Sequence, residues 1–206
     1  MSNALIVTIL LLGAGVIVVR RRTVAIVLIA AQSLALGAGA LQLAAAEHSD
    51  EFLIASVVLL VKGIALPLLL LAVVRRTQEP RLVAPAAPAL ARLGGAGAVA
   101  LAAAVLVPPL GLGNPQVERT AVGLVLIGIA IVVARRPAFL QLMGVIVAEN
   151  GLALLAVSVP GGLSYVIELG ALLDLVLVVI VAAAFTQRIH GELGTGDTEL
   201  LRGLRD

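Results

Sequence analysis

Lys62, Glu149, Glu168 and Asp174 each lie inside a segment otherwise apolar enough to span a bilayer. An ionisable side chain at the centre of a membrane costs about 3 kcal/mol even on lenient insertion scales. Such residues therefore either line a polar route for protons or ions, or pair across helices and fix their register. Both chemistries suit carboxylates and a lysine, and for any one residue alone the two readings stay open.

The rest of the chain consists of the elements that must hold these charges. With 61% hydrophobic residues, 13% charged residues, a mean hydropathy of +1.17 and repeated apolar runs, the sequence reads as an all-α integral membrane protein. A soluble domain of 206 residues cannot hide that much apolar surface. The formal net charge of +2 is small and the arginines sit at helix ends, so the basic balance reflects membrane topology rather than nucleic acid. There is no cysteine, which excludes disulfides, cysteine-ligated zinc and iron–sulfur clusters within this chain. His48 and His190 fall near helix ends on opposite sides of the membrane, and no metal site is expected.

Measured against the roughly 20 residues a spanning helix needs, the apolar runs predict about seven transmembrane helices, near 3–19, 23–46, 52–74, 93–113, 117–134, 137–158 and 162–187. The first run lacks a basic leader and a small-residue cleavage site, so it reads as an anchor. Arg20, Arg21, Arg22, Arg75, Arg76, Arg81, Arg92, Arg135, Arg136, Arg188, Arg202 and Arg205 then fall on one side and only Arg119 on the other. The positive-inside rule makes the first side cytoplasmic, with the N-terminus outside and the C-terminus inside.

The chain also resembles itself. Segments 21–76 and 135–188 each run from a basic inner loop through an ascending helix, an outer turn and a descending helix that ends in arginine. The expected organisation is a first three-helix unit (1–76), a proline-containing cytoplasmic linker (77–92), a connector helix (93–113), a second three-helix unit (114–190) and a cytoplasmic tail (191–206). The connector lets the two units run parallel rather than inverted. Lys62 precedes Arg76 by 14 residues, as Asp174 precedes Arg188, so the two are equivalent. At 1.5 Å per residue both lie about 21 Å from the inner arginines, with Glu149 about 20 Å from Arg136 and Glu168 roughly 9 Å further out. Pro67 cannot donate to the carbonyl of Gly63, so a helix break is expected beside Lys62. The small residues 37–40 and 94–97 suit close helix packing.

Three motifs carry a family resemblance: Val61-Lys62-Gly63-Ile64-Ala65-Leu66-Pro67, Ala148-Glu149-Asn150-Gly151, and Ile167-Glu168-Leu169-Gly170 followed by Leu172-Leu173-Asp174. With them, over nearly its whole length, the chain resembles the E subunit of hydrogenase-4 and of related membrane-bound NiFe hydrogenase and formate hydrogenlyase complexes. Its C-terminal half is similar to the K subunit of complex I and its antiporter homologue, which carries one glutamate in each of its last two helices. Asp174 matches the second of those acids. Ile146 stands where the first belongs, Glu149 follows one turn later, and Gln32 holds the corresponding place in the first unit.

The resemblance implies a non-catalytic membrane subunit of an oxidoreductase complex engaged in redox-driven proton translocation. Lys62, Glu149, Asp174 and Glu168 are then the proton relay, Gln32 and Asn150 its polar support, and Pro67 the helix break. The nickel–iron centre and iron–sulfur clusters are expected only in partner subunits, with no cofactor in this chain. The expected partners are antiporter-like membrane subunits, peripheral redox subunits and the lipid bilayer, with no nucleic acid. Two alternatives remain: a structural scaffold of the same complex, with static charge pairs, and a free-standing cation or proton transporter.

Overall fold

A bilayer leaves an unpaired backbone amide without a partner, so apolar runs of this length form helices that satisfy their own hydrogen bonds. A computed structural model describes residues 1–19, 21–76, 114–135 and 138–157, together with isolated positions from 91 to 111 and Val179. These residues form five helices: α1 (Asn3–Val18), α2 (Arg22–Glu47), α3 (Asp50–Arg76), α4 (Pro115–Ala134) and α5 (Ala138–Val157). Among the described residues there is no strand. Four of the helices, α2 to α5, are long and apolar enough to cross a membrane, and the protein is an all-helical, multi-pass membrane protein. The expected spans 93–113 and 162–187 lie outside the described residues except for single positions.

The ends of α1, α2 and α4 have local causes. Ser2 caps α1 by accepting from the Leu5 amide, and Asn114 caps α4 by accepting from Gln116 at 2.9 Å, with Pro115 in the first turn where its missing N–H costs nothing. His48 closes α2 in the left-handed conformation (φ 51°), which lets α3 begin only two residues later. At 16 residues, about 24 Å long, α1 is the shortest helix, because the chain turns into its arginine run at Val19. α3 stays helical through Pro67, so the expected break beside Lys62 is confined to the hydrogen bond that proline cannot make.

The helices pack as two antiparallel hairpins, α2 with α3 and α4 with α5. α1 lies against α2 and α4, and α2 also touches α5. Apolar burial gives little drive between helices in lipid, so close approach matters more. Glycine supplies it. A Cβ on Gly128 would lie 2.5 Å from the Gly144 carbonyl oxygen and the Ala148 nitrogen, and one on Gly151 would lie 2.7 Å from the Ala121 oxygen. On the other hairpin Gly37 faces Leu60 and Gly63 faces Leu34. The expectation of close packing at 37–40 therefore holds, whereas Gly94 and Gly95 have open space beside them. Outward, Leu53, Val57, Val61, Ile64 and Leu68 form an exposed stripe on α3, as a lipid-facing helix requires.

Two arginines fix the relative direction of the hairpins. Arg135, just past α4, donates from one guanidinium nitrogen to the carbonyls of Ile17 and Val19, the latter at 3.0 Å. Arg22 lies over the Phe139 ring, 5.5 Å from its centroid. The C-terminal ends of α1 and α4 thus meet the N-terminal ends of α2 and α5 at one end of the bundle, and Arg75 on α3 reaches the same end. Glu47, Asp50, Glu51, Glu118 and Arg119 lie at the other.

Candidate functional site: a mid-bundle ion pair beside an amide network

Lys62 sits near the middle of α3, opposite the exposed stripe, with its side chain 3% exposed. Gly63 lets α3 lie close on α2 at this level, because a Cβ there would come within 3.0 Å of Leu34. Reaching out from this helix, the ammonium donates to Oε1 of Glu149 near the middle of α5, at 2.5 Å. Its partner is more open: the Glu149 side chain is 20% exposed. The second carboxylate oxygen, Oε2, is buried and has no hydrogen-bond partner among the described residues. Two residues 87 apart in sequence therefore form a charge pair inside an apolar bundle.

The next residue on α5 serves a different contact. Successive helical positions differ by about 100°, so Asn150 leaves α5 in another direction from Glu149. Its Nδ2 donates to Gln32 Oε1 at 2.9 Å and to Ser33 Oγ at 3.2 Å, both on α2. Ser33 Oγ also lies 3.4 Å from Asn150 Oδ1 as its donor. Gln32 Nε2 in turn donates to the Ile9 carbonyl of α1 at 3.0 Å. Gln32, Ser33 and Asn150 are all at most 1% exposed. Buried polar groups at this depth are tolerable because each finds a partner.

Lys62 and Glu149 are thus brought together, and Gln32 and Asn150 form an adjoining network with Pro67 one turn along α3 from the lysine. Glu168 and Asp174 lie outside the described residues. Sequence reasoning passed over three positions. Ser33 is a second ligand of the Asn150 amide, and its place beside Gln32 was the available signal. Glu118 is wholly buried in the first turn of α4, and it falls inside the predicted span 117–134. Arg135 was read only as a topological charge, yet it is 4% exposed and ties α4 to α1. Among the described residues no cluster of histidine, aspartate and glutamate is placed to hold a metal ion.

What this defines is a helical multi-pass membrane protein with a charge pair and an amide network at mid-bundle. The chain belongs to the same family as the Mycobacterium tuberculosis protein named Uncharacterized protein Rv0085, with 34% identity over 205 residues, covering 96% of this chain and 93% of that relative. No family model and no solved structure matches it.

Proposed function

We propose that this protein is an integral membrane subunit of a hydrogenase-4-like respiratory complex and contributes mid-membrane charged residues to redox-coupled proton translocation. The observation that carries this reading is the Lys62–Glu149 pair, an amine and a carboxyl in contact near the middle of two apolar helices. Either group can hold or yield a proton, and each alters the proton affinity of the other. Oε2, without a partner among the described residues, is a second acceptor position on the same carboxylate. Support also comes from the motifs around Lys62, Glu149 and Asp174, and from the common direction of α1 with α4 and of α2 with α5, which suits two parallel three-helix units within a seven-helix chain. In this reading Asp174 continues the row, Glu168 lies nearer the surface, and the N-terminus faces outward. Antiporter-like and redox subunits are the partners, and the nickel–iron and iron–sulfur centres belong to them.

The scaffold reading has its own observation, since amides and a hydroxyl do not titrate and Lys62–Glu149 also suits a static pair. Proton uptake by the intact complex separates the two. Glu149→Gln and Asp174→Asn are expected to lower translocation while the peripheral redox reaction with an artificial electron acceptor survives, with Glu168→Gln the milder change. Normal translocation in both mid-membrane variants would leave the scaffold.

A further inference from the structure

We propose that Gln32 is a positioning residue for Glu149: held by α1, its amide fixes the rotation of α5 through Asn150 and so decides which face of α5 meets Lys62. The role given to Glu149 rests on the function proposed above, whereas the positioning itself rests on geometry. Glu149 and Asn150 are consecutive, so the angle between their side chains is set by the helix and cannot relax. Whatever holds Asn150 against α2 also aims Glu149 at α3.

The hold is complete at both ends. Asn150 gives its amide hydrogens to Gln32 Oε1 at 2.9 Å and Ser33 Oγ at 3.2 Å, and Gln32 passes the connection to the Ile9 carbonyl at 3.0 Å. Space for that last contact comes from Gly13, where a Cβ would sit 2.7 Å from Gln32 Nε2 and 2.6 Å from Leu124 Cδ2. Turning α5 until Glu149 left Lys62 would strand these buried groups, and each unpaired one costs about 1–3 kcal/mol. The α4–α5 seam at Gly128, Gly144 and Gly151, where a Cβ would come within 2.7 Å of facing backbone, holds α5 from the α4 side, and the latch holds it from the α2 side that faces the Lys62 hairpin. None of the latch groups changes charge between acid and alkaline conditions. The frame therefore stays fixed whichever of Lys62 and Glu149 carries the proton.

The test reads Glu149 directly, in the full-length chain reconstituted in lipid nanodiscs. N,N′-dicyclohexylcarbodiimide is apolar and reacts with protonated carboxyls, and the 20% exposure of the Glu149 side chain leaves it an approach. Labelling at one neutral pH is followed by mass spectrometry. Lys62→Met, which removes the ammonium, sets the upper rate. Gln32→Leu is expected to raise the wild-type rate by about tenfold, the response to one unit of altered proton affinity. Gly13→Ala, which displaces the Gln32 amide without removing it, should act in the same direction. The double variant Gln32→Leu/Lys62→Met should label no faster than Lys62→Met alone, because both act through one contact. A merely structural Gln32 would lower the melting temperature and leave the labelling rate at its wild-type value, and that result in Gln32→Leu overturns the proposal. Should Gln32→Leu not fold, an unchanged rate in folded Gly13→Ala overturns it equally. Loss of the proton-translocation reading would show instead as normal pumping by both Glu149→Gln and Asp174→Asn, while Glu149 in the Gln32→Leu chain still labels faster than in the wild type.

Discussion

Lys62 on α3 and Glu149 on α5 meet at 2.5 Å although the helices that carry them belong to different hairpins. The contact spans α2, which packs against both helices, and so it joins the two hairpins at mid-depth. Removing one member of such a pair strands the other charge and costs about 3–5 kcal/mol, whereas replacing both by apolar side chains is often nearly neutral. Lys62→Met and Glu149→Leu should therefore each lower the melting temperature in detergent, and Lys62→Met/Glu149→Leu should recover most of the loss. Additive losses would mean that the two side chains do not interact.

The glycine seam gives a second contrast. A methyl group at Gly128 would meet the backbone of α5 at 2.5 Å, and backbone cannot give way as a side-chain tip can. Gly128→Ala should cost about 1–3 kcal/mol by overpacking. Gly94→Ala meets nothing within 4 Å and should stay within about 0.5 kcal/mol of the parent chain. Equal melting temperatures for the two variants would contradict the observed α4–α5 contact.

Much of this architecture was legible because a bilayer converts hydropathy into helix bounds. The predicted spans 23–46 and 117–134 differ from α2 and α4 by two residues or fewer at each end, and α5 lies within the predicted 137–158. α1, α2 and α4 stop where an arginine run, a left-handed turn or a single arginine intervenes. The chemistry-bearing residues Lys62, Glu149, Gln32 and Asn150 were legible for the related reason that polar groups are costly in apolar runs. What remained illegible was which carboxylate Lys62 meets. Hydropathy places Lys62 and Glu149 at one depth but carries no azimuth between helices, so the contact depends on Gly63 and the hairpin packing. Arg135 was hidden by its own chemistry, since an arginine at a helix end satisfies the sidedness rule whether it points to water or, as here, back to the Ile17 and Val19 carbonyls.

Those carbonyls belong to the last turn of α1, where helical partners run out and a cation is favoured by the helix dipole. Arg135→Met removes the donors and should loosen that end first. Hydrogen exchange is expected to accelerate in the amides of the last turn of α1 while the α4–α5 hairpin keeps its protection. Arg135→Lys should restore only part of it, because a single ammonium lacks the guanidinium fork. Uniform loss of protection across all five helices would instead mark Arg135 as a determinant of the whole bundle.

The gathering of Arg21, Arg22, Arg75 and Arg135 at one bundle end predicts sidedness. Reporter fusions at Glu47 and at Arg81 should report opposite sides of the membrane, with Arg81 cytoplasmic. Two cytoplasmic signals would refute the orientation.

Lys62 itself allows a test between a moving and a fixed charge. A lysine gives up its proton when its surroundings disfavour the charge, whereas a guanidinium stays protonated in proteins. Both can donate to the Glu149 carboxylate, which α5 presents to α3 near the middle of the two helices. If the protein works as proposed above, Lys62→Arg is expected to keep the proposed complex assembled, because the carboxylate retains a cationic partner, but to slow proton translocation. Lys62→Ala, which removes the cation that meets Glu149, should abolish or uncouple it. The measurement is proton uptake per turnover in membranes carrying the whole complex, normalised to the redox reaction with an artificial acceptor. Full-rate pumping by Lys62→Arg would assign the lysine a static role as a positive charge that holds Glu149 ionised, and the relay would then have to pass through the carboxylates alone.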